Sequence, residues 1–109
     1  MAIRYAITGF GRFAEKAIAP AIQQSGNSKL VAIQNRSLAK AQSIASSLDV
    51  PLAFDSVKAL VAHPDVDAIF ITSPNSFHCE ETILAAEAGK HVLCEKPMAL
   101  NVAECQRMI

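Results

Sequence analysis

The chain has 109 residues, 51% of them apolar and 18% charged, a length and balance that support one domain with a buried core and exclude a disordered polymer. Ten basic residues offset ten acidic ones, so no net field draws the protein to nucleic acid or an anionic membrane, and any phosphate recognition must be local. No apolar run approaches the roughly 20 residues that cross a bilayer, Arg4 and Gly9 interrupt any signal-peptide layout, and the three cysteines form no C-x-x-C pair, so a cytoplasmic protein without disulfides or a zinc site is expected.

Residues 3–8 read as a first strand, apolar except for Arg4, as in the interior of a covered parallel sheet. Gly9-Phe10-Gly11-Arg12-Phe13-Ala14 follows at the spacing G-x-G-x-x-A and opens a helical pattern. In that strand-turn-helix context the spacing fits a dinucleotide pyrophosphate. The first glycine permits the turn, the second lets backbone approach the phosphates, and the third small residue lets helix and strand pack closely. The first helix is expected from Arg12 or Phe13 to about Gln24, with Ala14, Ala17, Ile18, Ala21 and Ile22 on the sheet side, a kink near Pro20 and a stop at Gly26.

A second strand is expected at residues 30–33, ending at Gln34-Asn35-Arg36-Ser37. Ser37 caps a second helix whose apolar face holds Ala41, Ile44, Ala45 and Leu48. A short strand at 52–54 and a short helix at 56–62 precede a buried strand at 68–72. The loop Ser73-Pro74-Asn75 opens a helix near Ser76 that Gly89 closes, and a fifth strand at 91–94 runs into Glu95-Lys96-Pro97. Five alternations of strand and helix predict an open, doubly wound parallel sheet of the Rossmann type, three layers deep. Asn101 and Glu104 form a capping-box start for a last helix that breaks off within a turn or two, so residues 1–109 are expected to be one domain of a longer polypeptide.

Three clusters carry candidate chemistry. An acidic residue at the end of the second strand usually accepts the ribose hydroxyls of NAD, and here Asn35 stands in its place. Arg36 can make a charge-assisted contact with a 2′-phosphate, and Ser37 and Lys40 can add donors, which favours NADP over NAD. The alternative is that Arg36 is a solvated charge or stacks on adenine in either cofactor. In the second cluster, Thr72-Ser73-Pro74-Asn75 with His78, Asn75 either bonds a ribose or carboxamide or caps the helix, and His78 either lines the pocket or lies on the surface. In the third, Lys96 can donate to a substrate oxygen and help move the proton that accompanies hydride transfer, while Pro97, in a trans or cis bond, shapes its turn. The bland alternative is a surface Glu-Lys pair before a proline.

Taken together, the glycine turn, Val66-Asp67-Ala68-Ile69-Phe70-Ile71-Thr72-Ser73-Pro74-Asn75 with His78, and residues 88–100 around Cys94-Glu95-Lys96-Pro97 resemble the N-terminal domain of the Gfo/Idh/MocA family. These are NAD(P)-dependent oxidoreductases of sugars and polyols, in which a Rossmann domain precedes an α+β domain. The resemblance implies that Lys96 contacts substrate and nicotinamide, that Glu95 and Pro97 shape its turn, and that Asn75 and His78 line the nicotinamide side of the cleft. It also implies that further catalytic residues, most of the substrate pocket and an oligomer-forming sheet belong to the second domain. A chain limited to the first is expected to bind dinucleotide with little or no turnover. Two rival readings are a non-catalytic dinucleotide sensor of the same fold and a methyltransferase-like variant, the latter weakened by Glu95-Lys96-Pro97.

Overall fold

The computed structural model describes residues 2–109. Its five strands are β1 (Ile3–Thr8), β2 (Ser28–Gln34), β3 (Leu52–Phe54), β4 (Ala68–Ile71) and β5 (His91–Cys94), all parallel, in the spatial order β3-β2-β1-β4-β5. The chain winds outward from β1 through β2 to β3, then crosses back to β4 on the other side of β1. That reversal leaves a crevice between the carboxyl ends of β1 and β4, where open α/β sheets bind ligands.

The pleat sends neighbouring residues to opposite faces, and this divides the core in two. Ile7 and Ile33 face one way, into a cluster with Phe10, Ala14, Ala19, Ile22, Ala41 and Ala45. Ala6 and Ala32 face the other, into a cluster with Leu60, Val61, Val66, Ile69 and Ala85. The first cluster packs the opening helix and α2 (Leu38–Ser47) on the sheet, and the second packs α3 (Val57–Ala62) and α4 (His78–Glu87). Alanines at the contact positions bring the helix axes close. A register shift between Tyr5 and Ala6 is the one irregularity in the β1–β2 pairing.

Specific bonds meet the expected caps at Ser37 and Asn101 and add one at Ser56. Ser37, Ser56 and Asn101 each cap a helix, accepting from the backbone N–H of Lys40, Ala59 and Glu104. The Glu104 carboxylate returns to the Leu100 N–H at 3.0 Å, closing a box at the start of α5 (Val102–Met108). Gly89 ends α4 with φ of 79°.

Other expectations are refined or corrected. The irregularity expected near Lys16 to Pro20 takes the form of a π turn: it spans Ala14–Ile18 and precedes α1 (Ala19–Gln24), and the Ala19 N–H bonds the carbonyl of Ala14, five residues back. Widening the turn there accommodates the ring that would otherwise meet the carbonyl four residues earlier. Gly26 is not the helix stop. The chain leaves the helix at Ser25 in an extended conformation, ψ 135°, and Gly26 does not have a positive φ. The fourth helix starts with a 3₁₀ turn at Asn75–Phe77, and Asn75 does not cap it. Among the described residues, no helix is long and apolar enough to cross a membrane.

Candidate functional site

The glycine turn is built by tertiary packing as much as by local preference. Gly9 has φ of 62°, and a Cβ there would stand 2.7 Å from Ser73 Cβ and 2.8 Å from Ser73 N, so the β1 and β4 loops close on each other only at a glycine. Gln34 holds the turn from the other side. Its Oε1 accepts the Gly9 N–H at 2.7 Å, its Nε2 donates to Asp55 O at 3.1 Å, and its own carbonyl accepts the Phe10 N–H at 2.9 Å.

Gly11 differs from Gly9. A Cβ on it would meet nothing nearer than Gly9 O at 3.8 Å, so the protein's own packing does not require a glycine there. The space beside it is left for something else. The first helical bond around this turn runs from Glu15 N–H to Gly11 O, and helix geometry leaves the N–H groups of Gly11, Arg12, Phe13 and Ala14 without intrahelical acceptors. Gly11, Arg12 and Phe13 are exposed while Ala14 is buried, so three of these donors and the positive end of a helix lie at the surface, a fit for a pyrophosphate. Phe10 lines the cleft yet is 3% exposed, with its side chain in the core and both its backbone N–H and its carbonyl, which accepts from Asn35 Nδ2, engaged within the protein. Phe13, by contrast, is half exposed.

A cleft of about 580 Å³ opens beside this turn, lined by Gly9, Asn35, Arg36, Lys40, Ser73, Pro74 and Phe77 among others. The Asn35 carboxamide is spent on the backbone, donating to Phe10 O at 3.0 Å and accepting from the Ser37 N–H at 2.9 Å. It thereby ties the end of β2 to the glycine turn. Arg36 and Lys40 are exposed, with no side-chain hydrogen bond to the protein among the described residues. Ser37 accepts the Lys40 N–H and keeps its hydroxyl proton available. Lys58 of α3 adds a third cation to the rim, and Asp55 and Glu80 add anions.

The end of β4 is stitched to β1, and the end of β5 to β4. Thr72 Oγ1 donates to Thr8 O at 2.8 Å, and the Glu95 N–H donates to Ile71 O at 3.0 Å. Asn75 is exposed at the mouth of this region. The Lys96–Pro97 peptide is cis, and Lys96 is exposed with no acceptor for its amine among the described residues. Burial pushes the neighbouring Cys94 thiol up, against a lowering contact with Thr82 and with the charges of Glu81 and Glu95 adding to the rise, so it stays protonated.

His78 is not at the cleft surface. Its ring is 1% exposed, with Nε2 2.8 Å from Ser73 O and Nδ1 2.7 Å from Pro97 O, so it braces the two loops from behind. Sequence reasoning also missed Thr8, Gln34 and Glu81. The buried Glu81 Oε1 accepts from both Thr8 Oγ1, at 2.7 Å, and Ser73 Oγ, at 2.8 Å. Its only sequence signal is an acid on the same helical face as Thr82 and Ala85, where an apolar residue would be expected.

A central β1 with this switch point, a positive-φ first glycine, an open second one and a basic rim at the end of β2 define a dinucleotide-binding Rossmann domain. Residues 3–109 match the family model described as the oxidoreductase family with an NAD-binding Rossmann fold, and the chain belongs to that family, Gfo/Idh/MocA. It is 36% identical over 107 residues to the scyllo-inositol 2-dehydrogenase (NADP(+)) of Bacillus subtilis, covering 98% of this chain and 32% of that one. It is 33% identical over 106 residues to the 1,5-anhydro-D-fructose reductase of Ensifer adhaerens, covering 97% of this chain and 32% of the relative. A 3-ketoreductase from Actinomadura kijaniata, solved with TDP-benzene and NADP, superposes with a TM-score of 0.92 at 28% identity, covering 99% of this chain and 34% of the other. The chain spans between 25% and 33% of the length of the curated relatives it matches.

Proposed function

We propose that this domain seats NADP(H) in preference to NAD(H) and presents Lys96 to the oxygen on the reacting carbon of a sugar- or polyol-like substrate. The observation that carries the cofactor preference is the end of β2: no residue of Gln34 to Ser37 is a carboxylate, Asn35 is consumed by backbone bonds, and Arg36, Ser37 and Lys40 offer unengaged donors. A carboxylate there would repel a 2′-phosphate, whereas Arg36 can pair with it. The names of relatives that use NADP, and the ketoreductase solved with it, support the same choice.

When bound, the nicotinamide supplies hydride chemistry. The chain's own residues do the rest. The N–H groups of Gly11 to Phe13 hold the pyrophosphate, Pro74 and Phe77 wall the adenine end, and Thr72, Ser73 and Asn75 border the path toward the ring. The Lys96 amine has no acceptor among the described residues and is free to polarise or protonate the substrate oxygen, with Glu95 and Pro97 holding its turn. The active enzyme joins a domain of this kind, residues 1–109, to a substrate-facing one, as the greater length of the relatives supports. We assign it to the cytoplasm, with small-molecule partners rather than nucleic acid or membrane, on the balanced charge and three free thiols. Self-association through the sheet of the second domain is part of the same proposal.

Fluorescence titration with NADPH and NADH tests the reading. NADPH is expected to bind on the order of tenfold to a hundredfold tighter, as one or two charge-assisted bonds imply, and Arg36→Ala to remove about tenfold of that margin. Tighter binding of NADH would overturn the assignment.

A further inference from the structure

A buried chain of polar contacts runs under the cleft from the glycine turn to the lysine turn. Gly9 is packed on Ser73, with no room for a Cβ between them. Ser73 sends its hydroxyl to Glu81, which also holds Thr8, and its carbonyl to His78 Nε2. The other ring nitrogen of His78 lies on the carbonyl of Pro97, next to Lys96. Ser73, His78 and Glu81 are 7%, 1% and 8% exposed, so water has little access to the links among them, while the last link, at the exposed Pro97, is partly buried. A carbonyl oxygen only accepts, so the two ring contacts are both satisfied only when each nitrogen carries a proton. The rigid ring then fixes the separation of the two loops, and Glu81, one turn along α4, holds the same Ser73 through its hydroxyl.

We propose that His78 is a positioning residue which, with Glu81, couples occupancy of the dinucleotide cleft to the placement of Lys96. The inference rests on the cofactor reading above. A phosphate settling over Gly11 presses on a turn that has no slack against Ser73, and the Ser73 carbonyl and hydroxyl pass the displacement to His78 and Glu81. Packed interiors transmit such shifts rather than absorb them.

Adenosine 2′,5′-bisphosphate tests this, because it fills the adenosine end and has no nicotinamide to touch Lys96. In a ¹⁵N-labelled sample of this chain, the amides of Gly11, Lys96 and Met98 are expected to shift with one shared dissociation constant, and His78 to show two slowly exchanging ring N–H protons. In His78→Phe the Gly11 response is expected to persist while the Lys96 and Met98 responses disappear. Ser73→Ala, which keeps the carbonyl but cuts the Glu81 link, is expected to weaken them and serves if the first variant does not fold. A responding Gly11 with silent Lys96 and Met98 in the wild type overturns this inference alone, as does an unchanged Lys96 response in either variant or a single ring proton on His78. Silence at Gly11 overturns the cofactor reading and this inference with it.

Discussion

Gly9→Ala and Gly11→Ala separate what the glycine turn does for the fold from what it does for a ligand. At Gly9 an added methyl group meets two costs. Its φ of 62° is left-handed, about 1–3 kcal/mol for a residue with a side chain. The new Cβ also lands against the backbone and Cβ of Ser73, which cannot swing aside, adding the roughly 1–3 kcal/mol of an overpacked core. Together these reach about 2–6 kcal/mol, a large share of the roughly 5–15 kcal/mol that holds a domain folded. At Gly11 neither cost applies, since φ is not in the left-handed region and nothing lies closer than 3.8 Å. Gly11→Ala should leave stability unchanged or raise it by about 0.4–1 kcal/mol through the unfolded chain. The same methyl group fills the space left for the pyrophosphate, and NADPH affinity should fall by about tenfold or more, about 1.4 kcal/mol. Urea unfolding followed by circular dichroism measures the first quantity and NADPH fluorescence the second. If Gly11→Ala loses as much stability as Gly9→Ala, or binds NADPH as the wild type does, the division of labour between the two glycines is refuted.

Two further predictions concern the lysine turn and the opposite end of the sheet. Lys96→Ala removes an exposed amine with no protein partner, so stability and NADPH affinity should stay near wild type, whereas NADP-dependent turnover of a polyol by the two-domain enzyme should fall by about 10²–10⁴-fold; unchanged turnover would remove the role given to Lys96. At the amino end of the sheet the Arg4 guanidinium and backbone N–H hold the Asp67 carboxyl at about 2, below its ordinary 3.8. Because the folded value is the lower one, this contact contributes stability above about pH 4 and loses it as the pH falls through about 2. Asp67→Asn should therefore flatten the acid side of the stability profile in urea melts between these pH values, and parallel profiles for the two proteins would show that Asp67 has no such part.

The periodicity of the chain was enough to determine the five strands, the helices between them and the caps at Ser37 and Asn101, because these depend on residues within a turn or two of one another. Ser37, Ser56 and Asn101 reach backbone groups three residues away, and such contacts can be read from spacing alone. The family and its glycine turn were equally readable. What the tertiary structure alone decided lies between residues far apart in sequence. Asn35 was readable as the absence of a carboxylate, but its bond to Phe10, 25 positions away, shows that the carboxamide serves the turn. Pro20 signalled a disturbed helix, and only the backbone showed that the disturbance is a π turn. His78 and Glu81 look like surface residues at the start of an amphipathic helix. They are buried because that helix lies across the carboxyl ends of β1 and β4, where a hydroxyl 73 positions earlier and a carbonyl 19 positions later need partners. Local chemistry determines which elements form, whereas the burial and pairing of polar groups depend on which elements the fold brings together.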